Sequence, residues 1–212
     1  ILSPERGRGF VLARGLPVER WGRALSEIAF WCIGLHLGVP GGQSARNELL
    51  GHVRDEGDDL SVATGRAYRT RANIRFHCDA ADVVGLLCLA TAPTGGASRI
   101  VSSLSVYNVL RAEHPELAAR MFAPFELDTR NDAAKVRHFP VQPCCYDAGV
   151  LRTFFHSDYF RSASRHPGVA PDETGLAALD AWEEIAERES MRLDMQLAPG
   201  DVQLLTNHTV VH

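Results

Sequence analysis

Phe76-His77-Cys78-Asp79 is the segment whose residue types and spacing are best suited to chemistry. In an extended backbone, residues i and i+2 point the same way. His77 and Asp79 can therefore present an imidazole and a carboxylate to one point, while Cys78 points away. A third ligand from a distant strand would place two histidines and a carboxylate on one face of a metal. That facial set leaves positions open for a bidentate 2-oxo acid and then dioxygen, and it suits non-heme Fe(II) oxygenases. An His-x-Asp triplet is common by chance, and the chain has a second one, His156-Ser157-Asp158. Its neighbours Phe154, Phe155, Tyr159 and Phe160 fit the start of a helix or a pocket wall equally well. His208 and His212 compete for the third position, both on one face of what reads as a single strand. His52 is a weaker candidate, on a short strand-like piece. His36 reads as packing or capping within a helix, and His114, His138 and His166 as loop or surface residues. Other chemistries find less support. Lys135 is the sole lysine for a Schiff base, Gly95-Gly96 has no P-loop lysine after it, and no GxSxG context surrounds a serine.

The elements that must position these residues are short. Gly9 to Arg14 reads as a strand closed by Gly15 and Pro17. Val18 to Gly38 reads as a helix, with Val18, Trp21, Leu25, Ile28, Cys32 and Leu35 forming an apolar stripe. Val83 to Ala92 suits a buried strand, Pro93 to Gly96 a turn, and Arg99 to Ser102 a further strand. Ser105 is positioned to cap a helix to about Ala112, and Pro115 to open another to Met121. Asp128 to Arg137 is a polar loop, Val150 to Phe155 is extended, and Asp172 to Arg188 is helical, with Leu176, Leu179, Trp182 and Ile185 on one face. Pro199-Gly200-Asp201 is a tight turn between strands at Leu193–Leu197 and Val202–Leu205. Many short strands with added helices predict a mainly β fold of jelly-roll type with peripheral helices.

Composition narrows the function. The chain has 212 residues, 45% of them hydrophobic and 23% charged, which suits one globular domain with no need of a disulfide or metal staple. A net charge of −4 gives no electrostatic footprint for nucleic acid or for an anionic membrane surface. The apolar runs are too short to span a bilayer. The five cysteines include no CxxC pair, which points to reduced thiols and a cytoplasmic setting. The arginine-rich stretch Arg66, Arg69, Arg71 and Arg75 reads as a solvated strand, or as a surface that greets an anionic substrate.

Three segments in order resemble the taurine dioxygenase (TauD/TfdA-like) family. These are His77-Cys78-Asp79 with the apolar strand Val83 to Leu89, then Gly95-Gly96-Ala97-Ser98, then Pro199-Gly200-Asp201 leading through Asn207 to His212. The resemblance runs from Gly9 through His212. It implies a double-stranded β-helix (jelly roll), Fe(II), the cosubstrate 2-oxoglutarate and O2, and a small-molecule substrate with no nucleic-acid or membrane partner. Carried over by residue, it makes His77, Asp79 and His212 the iron ligands. Ser98 becomes a hydroxyl on the 2-oxoglutarate carboxylate, and Asn73, four residues before His77, a substrate contact. The family also uses an arginine a little after the last histidine. With Ile1 and His212 as the end residues, 1–212 is expected to be a single oxygenase domain within a longer chain. The implied reaction attacks a C–H bond by hydroxylation, desaturation or cyclisation, with release of succinate and CO2. Asp79 argues against halogenation, because halogenases of this type give up the carboxylate to make room for halide. The alternative is a non-catalytic or zinc-binding jelly-roll protein.

Overall fold

The structure is a computed structural model, and it describes residues 2, 7–43, 48–57, 70, 73–131 and 133–212. Two three-stranded antiparallel sheets lie at its centre. In the first, β9 (Val202–Thr206) runs between β1 (Phe10–Ala13) and β2 (Val83–Leu87). In the second, β3 (Ser98–Ser102) runs between β10 (Val210–Val211) and β8 (Arg192–Met195). Two hairpin-like pairs join β4 (Phe125–Asp128) to β5 (His138–Val141) and β6 (Cys144–Asp147) to β7 (Val150–Thr153).

The chain crosses between the two central sheets twice near its end. Pro199-Gly200-Asp201 is the expected turn, but the strands it joins belong to different sheets. Gly200 is required there, since its φ is +88° and a Cβ would fall 2.1 Å from the Leu16 carbonyl oxygen. Leu16 N–H donates to Gly200 O at 3.0 Å, which locks the turn against β1. The second crossing, at 206–209, returns the chain to β10. Apolar side chains from both sheets meet between them: Phe10 and Leu205 from one, Ile100, Met195 and Val210 from the other.

Helix α1 (Val18–Leu35) covers the outer face of the first sheet through Phe30, which sits over Gly85 and Leu204. The expected stripe is not the face it buries, because Leu25, Ile28, Cys32 and Leu35 are exposed. The cause is Gly22, whose φ of 67° and ψ of 176° interrupt the helix and reset the phase set by Val18 and Trp21. After the break the inward positions begin at buried Ser26, whose hydroxyl donates to Gly22 O.

The larger core lies on the other side. There α2 (Ser103–Glu113), α3 (Pro115–Arg120), α4 (Ser157–Ser162) and α5 (Glu173–Glu187) pack around Trp182, Phe155, Phe160, Leu110 and Leu179, against Val101 of β3 and Val211 of β10. The cap of α2 is Ser102, not Ser105: the Ser102 side chain accepts from Ser105 N–H, so the helix begins three residues earlier. In α5 the expected face is buried except at Leu176, which is 38% exposed. The strand-like reading of Leu49–Val53 finds no strand, and β5 and β6 are strands that periodicity did not indicate. Among the described residues, no helix is long and apolar enough to cross a membrane.

Candidate metal centre

The segment 76–79 is extended without joining a sheet. Phe76 and Cys78 are buried in the larger core, which leaves His77 and Asp79 facing the opposite way. The segment is tied down on both sides. His77 N–H donates to His212 O at 2.9 Å and His212 N–H returns to His77 O at 3.0 Å, while Cys78 N–H donates to Phe155 O at 2.6 Å. One reciprocal backbone pair therefore sets the two histidines side by side. Their ring centroids are 4.7 Å apart.

Asp79 stands between them. His77 Nε2 lies 3.7 Å from Asp79 Oδ1, and His212 Nε2 lies 3.5 Å from Asp79 Oδ2. One donor atom from each of the three residues fits within a 4.8 Å sphere of mutual distances. The separations are long for hydrogen bonds. They suit three ligands around one cation, whose bonds to nitrogen and oxygen run at about 2.0–2.2 Å. His77 Nδ1 donates to Arg75 O at 3.0 Å, so Nε2 keeps its lone pair for the cluster. His212 Nδ1 is buried and has no hydrogen-bond partner among the described residues.

The electrostatics match. Burial, then the charge of His212, lowers the His77 pKa, which keeps the imidazole neutral and able to ligate. Burial pushes the Asp79 carboxyl up, but the close approach and charge of His212, with His77 and His156, outweigh it and hold the group below its ordinary value.

Asn207, only 2% exposed, secures the loop beneath the carboxylate. Its Oδ1 accepts from Asp79 N–H at 3.3 Å, its Nδ2 donates to Ala81 O at 2.7 Å, and its own N–H donates to Asp82 O at 3.0 Å. The Cys78 thiol, pointing away from the ligands as expected, donates to Asn207 O at 3.1 Å. Burial raises that thiol's pKa to about 12, so it is no ligand or nucleophile. A cleft of about 280 Å³ opens beside Asp79, lined by Ala80, Asp82, Phe154, Asn207 and His208.

The other candidates separate cleanly. His208 is not on the same strand face as His212, because the turn at 206–209 intervenes; His208 Nε2 instead pairs with Asp82 at 2.7 Å. His52 bonds to Glu27 and Arg23, away from the cluster. His36 and His114 cap helices. His138 lies in β5 and bonds Glu126, and His166 is mostly buried against Asp128, so neither is a plain surface residue. Asp158 of the second triplet stays out of the cluster, but His156 comes to its edge. The His156 ring lies 5.0 Å from that of His77 and stacks on Tyr159 at 3.8 Å. Burial, then the charge of His77, drives the His156 pKa to about 3, so this ring is a neutral wall.

Ser98 opens β3, and its hydroxyl donates to Gln203 Oε1 at 3.0 Å, across the space between the central sheets. Gln203 is 1% exposed. Its Nε2 faces Met195 Sδ at 3.8 Å. A thioether can only accept, which fixes the amide orientation and leaves the second N–H of Gln203 uncommitted. A polar residue at an inward position of an otherwise apolar strand was the sequence signal for Gln203. Asn73 is exposed, and no hydrogen bond joins it to the cluster among the described residues. Arg75 pairs with Glu183 at 3.1 Å, which neutralises it, while Arg66, Arg69 and Arg71 lie outside the described residues.

Residues 5–212 match the model of the family described as "Taurine catabolism dioxygenase TauD, TfdA family". FR-33289 synthase of Streptomyces rubellomurinus is 32% identical over 217 residues, covering 98% of this chain and 62% of that protein. Taurine hydroxylase-like protein SAT17 of Stachybotrys chartarum is 26% identical over 226 residues, covering 96% of this chain and 55% of that protein. The chain thus spans less than two thirds of either relative. Among solved structures, an asparagine oxygenase in complex with Fe(II), 2S,3S-3-hydroxyasparagine and succinate superposes with a TM-score of 0.75 at 18% identity, covering 96% of this chain and 67% of that one. The non-heme iron oxygenase OrfP in complex with Fe and alpha-ketoglutaric acid superposes with a TM-score of 0.62 at 16% identity, covering 98% and 69%. At such identities the likeness speaks for the fold.

Proposed function

This chain belongs to the taurine catabolism dioxygenase TauD, TfdA family, and from that premise we propose that it is an Fe(II)/2-oxoglutarate-dependent oxygenase acting on a C–H bond of a small molecule. The observation that carries the reading is the convergence of His77, Asp79 and His212 within 4.8 Å. We read the two facing three-stranded sheets as the halves of a double-stranded β-helix, and residues 1–212 as one oxygenase domain. All five cysteines are free, which supports a reducing, cytoplasmic setting.

His77, Asp79 and His212 would hold Fe(II). With 2-oxoglutarate and O2 it supplies the power to remove hydrogen from an unactivated C–H bond, with release of succinate and CO2, and the product is an alcohol, an alkene or a ring. The chain's part is to place and shield the reactants. The His77 Nδ1 bond to Arg75 O and the Asn207 clamp under Asp79 fix the directions of two ligands. Ser98 and Gln203 would offer the polar end of the inter-sheet space to the distal carboxylate of 2-oxoglutarate, Met195 fixing the amide orientation, Ser98 donating to its oxygen and Gln203 supplying an N–H. His156 and Tyr159 wall the metal side and keep water from it. We keep Asn73 as a substrate contact on the family resemblance alone. The alternative of a non-catalytic or zinc-binding jelly-roll protein is separated from this reading by 2-oxoglutarate chemistry.

The test is anaerobic reconstitution with Fe(II), with and without 2-oxoglutarate, following the visible charge-transfer band of the chelate in the wild type, His77→Ala and His156→Ala. The expected result is a band that is lost in His77→Ala and retained in His156→Ala. No band, with tight zinc in its place, would overturn the oxygenase reading. Loss only in His156→Ala would move the site.

A further inference from the structure

A second cleft, of about 520 Å³, opens where α2, α3 and β6 meet, and it shares no lining residue with the cleft beside Asp79. On α2, Val106 and Leu110 go into the larger core. Tyr107 and Arg111, four residues apart and so on one face of the helix, line the cleft. The small side chains of Ala118 and Ala119 on α3 leave its space open. Phe122 and Tyr146 form an aromatic wall. Phe122 meets Tyr107 edge-on at 5.7 Å and stacks on Tyr146 at 5.6 Å, with those two rings inclined by 14°. Tyr146 is still 61% exposed, so its ring keeps a face for a further partner.

Three polar groups edge this apolar surface, the hydroxyls of Tyr107 and Tyr146 and the guanidinium of Arg111, and they lie close enough to act on one another. Burial, then the Tyr146 phenol, raises the Tyr107 pKa, and the Arg111 charge draws it back. The Tyr107 hydroxyl therefore stays protonated and able to donate. None of the three groups makes a hydrogen bond or an ion pair among the described residues. Acids next to them in the chain are already committed, Glu113 to Arg188 at 2.8 Å and Asp147 to Arg152 at 2.8 Å. Arg111 is thus left as a cation without an acidic partner, beside stacked rings and two idle hydroxyls.

We propose that this cleft is a second small-molecule site, and that it takes an aromatic carboxylate, with the ring against Tyr146 and Phe122 and the carboxylate on Arg111 and the Tyr107 hydroxyl. The volume lies within the range of about 300–1,000 Å³ that ligand sites occupy, and an apolar wall with a few convergent polar groups is their usual lining. A guanidinium pairs with a planar carboxylate through two parallel bonds, which a neutral amide cannot reproduce. A flat ring gains from an aromatic wall what a saturated ring does not. The assignment does not depend on the oxygenase reading, because the cleft is built without the metal cluster.

The test titrates the full chain, loaded anaerobically with Fe(II) and saturating 2-oxoglutarate, with phenylacetate, neutral phenylacetamide and cyclohexylacetate, by isothermal titration calorimetry. Phenylacetate is expected to bind about tenfold more tightly than phenylacetamide, as a charge-assisted hydrogen bond allows. It should bind about threefold more tightly than cyclohexylacetate, as aromatic stacking allows. Arg111→Gln should bring phenylacetate to the level of its amide, and Tyr146→Leu to the level of cyclohexylacetate. Arg137→Gln, which does not line the cleft, should change neither preference. Arg111 and Tyr146 are exposed, so both variants should keep the fold, as circular dichroism would record. Ala119→Phe, which fills the cleft from another exposed position, should abolish binding of all three compounds. Phenylacetate that binds no better than its amide, or a preference that survives in Arg111→Gln, would overturn the assignment. The titration is repeated on the metal-free protein and on His77→Ala, where the same preferences are expected. A preference lost with the metal would put the anion at the cluster and overturn the second site. An intact preference in a protein that forms no Fe(II)–2-oxoglutarate band would sink the oxygenase reading alone.

Discussion

Replacing Asn207 by alanine removes the brace beneath Asp79 without touching a ligand. Two side-chain bonds vanish, the acceptance from Asp79 N–H at 3.3 Å and the donation to Ala81 O at 2.7 Å. Asn207 is 2% exposed, so water cannot readily take either place. Each buried group left unpaired costs about 1–2 kcal/mol, giving a total of about 2–4 kcal/mol. For a domain of this length that is a fall in Tm of roughly 5–15 °C. The metal should feel it too, because outer partners of ligands are worth about 10–100-fold in affinity. Asn207→Asp separates the two bonds: its carboxylate still accepts from Asp79 N–H but faces the Ala81 carbonyl with no proton to donate. It should therefore lose at least as much stability as the alanine variant while retaining more of the Asp79 geometry. The assays are thermal melting of the metal-free protein and competition titration of Fe(II) or Co(II). An Asn207→Ala protein with unchanged Tm and unchanged metal affinity would refute the bracing role.

Three further outcomes follow from the same geometry. Gly200→Ala places a Cβ 2.1 Å from the Leu16 carbonyl oxygen at φ of +88°, so it should lower stability by several kcal/mol, about 3 or more, or prevent soluble expression, as thermal melts would record. Gln203→Leu keeps the packing volume and removes the inter-sheet amide. It should raise the KM for 2-oxoglutarate about tenfold with a much smaller change in kcat; an unchanged KM would remove Gln203 from the cosubstrate site. Burial alone pushes the Asp128 carboxyl up, but Arg165, the Arg130 N–H and His166 outweigh it and hold the folded value well below the ordinary one. Its stabilisation is therefore complete above an unfolded carboxylate pKa of about 3.9 and is lost as pH falls toward the folded value. In Asp128→Asn the stability gap to the wild type, measured by urea melts, should be widest near neutrality and narrow in acid.

The common facing of His77 and Asp79 was legible because a two-residue period survives wherever backbone is extended, in or out of a sheet. His212 was legible only through the ordered segments that resemble a family, since spacing alone could not choose it over His208. What separates those two is the turn at 206–209, a tertiary crossing with no local glycine or proline to announce it. The buried face of α1 was misread for a different reason. Helical periodicity presumes one continuous helix, and Gly22 breaks the phase inside an otherwise uninterrupted apolar pattern. β5 and β6 are four residues each, too short for alternation to stand out from the background. The approach of His156 to His77 depends on where α4 docks, and no pattern within either segment encodes it.

The central position of β9 has a consequence for the order of events on the ribosome. β1 and β2 are each hydrogen-bonded to β9 and not to each other, so neither has an edge to join until residues 202–206 have emerged. The same stretch of chain then delivers His212 to its reciprocal pair with His77. Sheet closure and assembly of the His77–Asp79–His212 cluster thus fall at the same moment, near the end of this segment's synthesis. If the cluster holds Fe(II) as proposed, a half-made chain would offer only His77 and Asp79, two ligands in place of three. On the proposed reading, tight metal binding would therefore report a chain whose longest-range strand pairings have already formed.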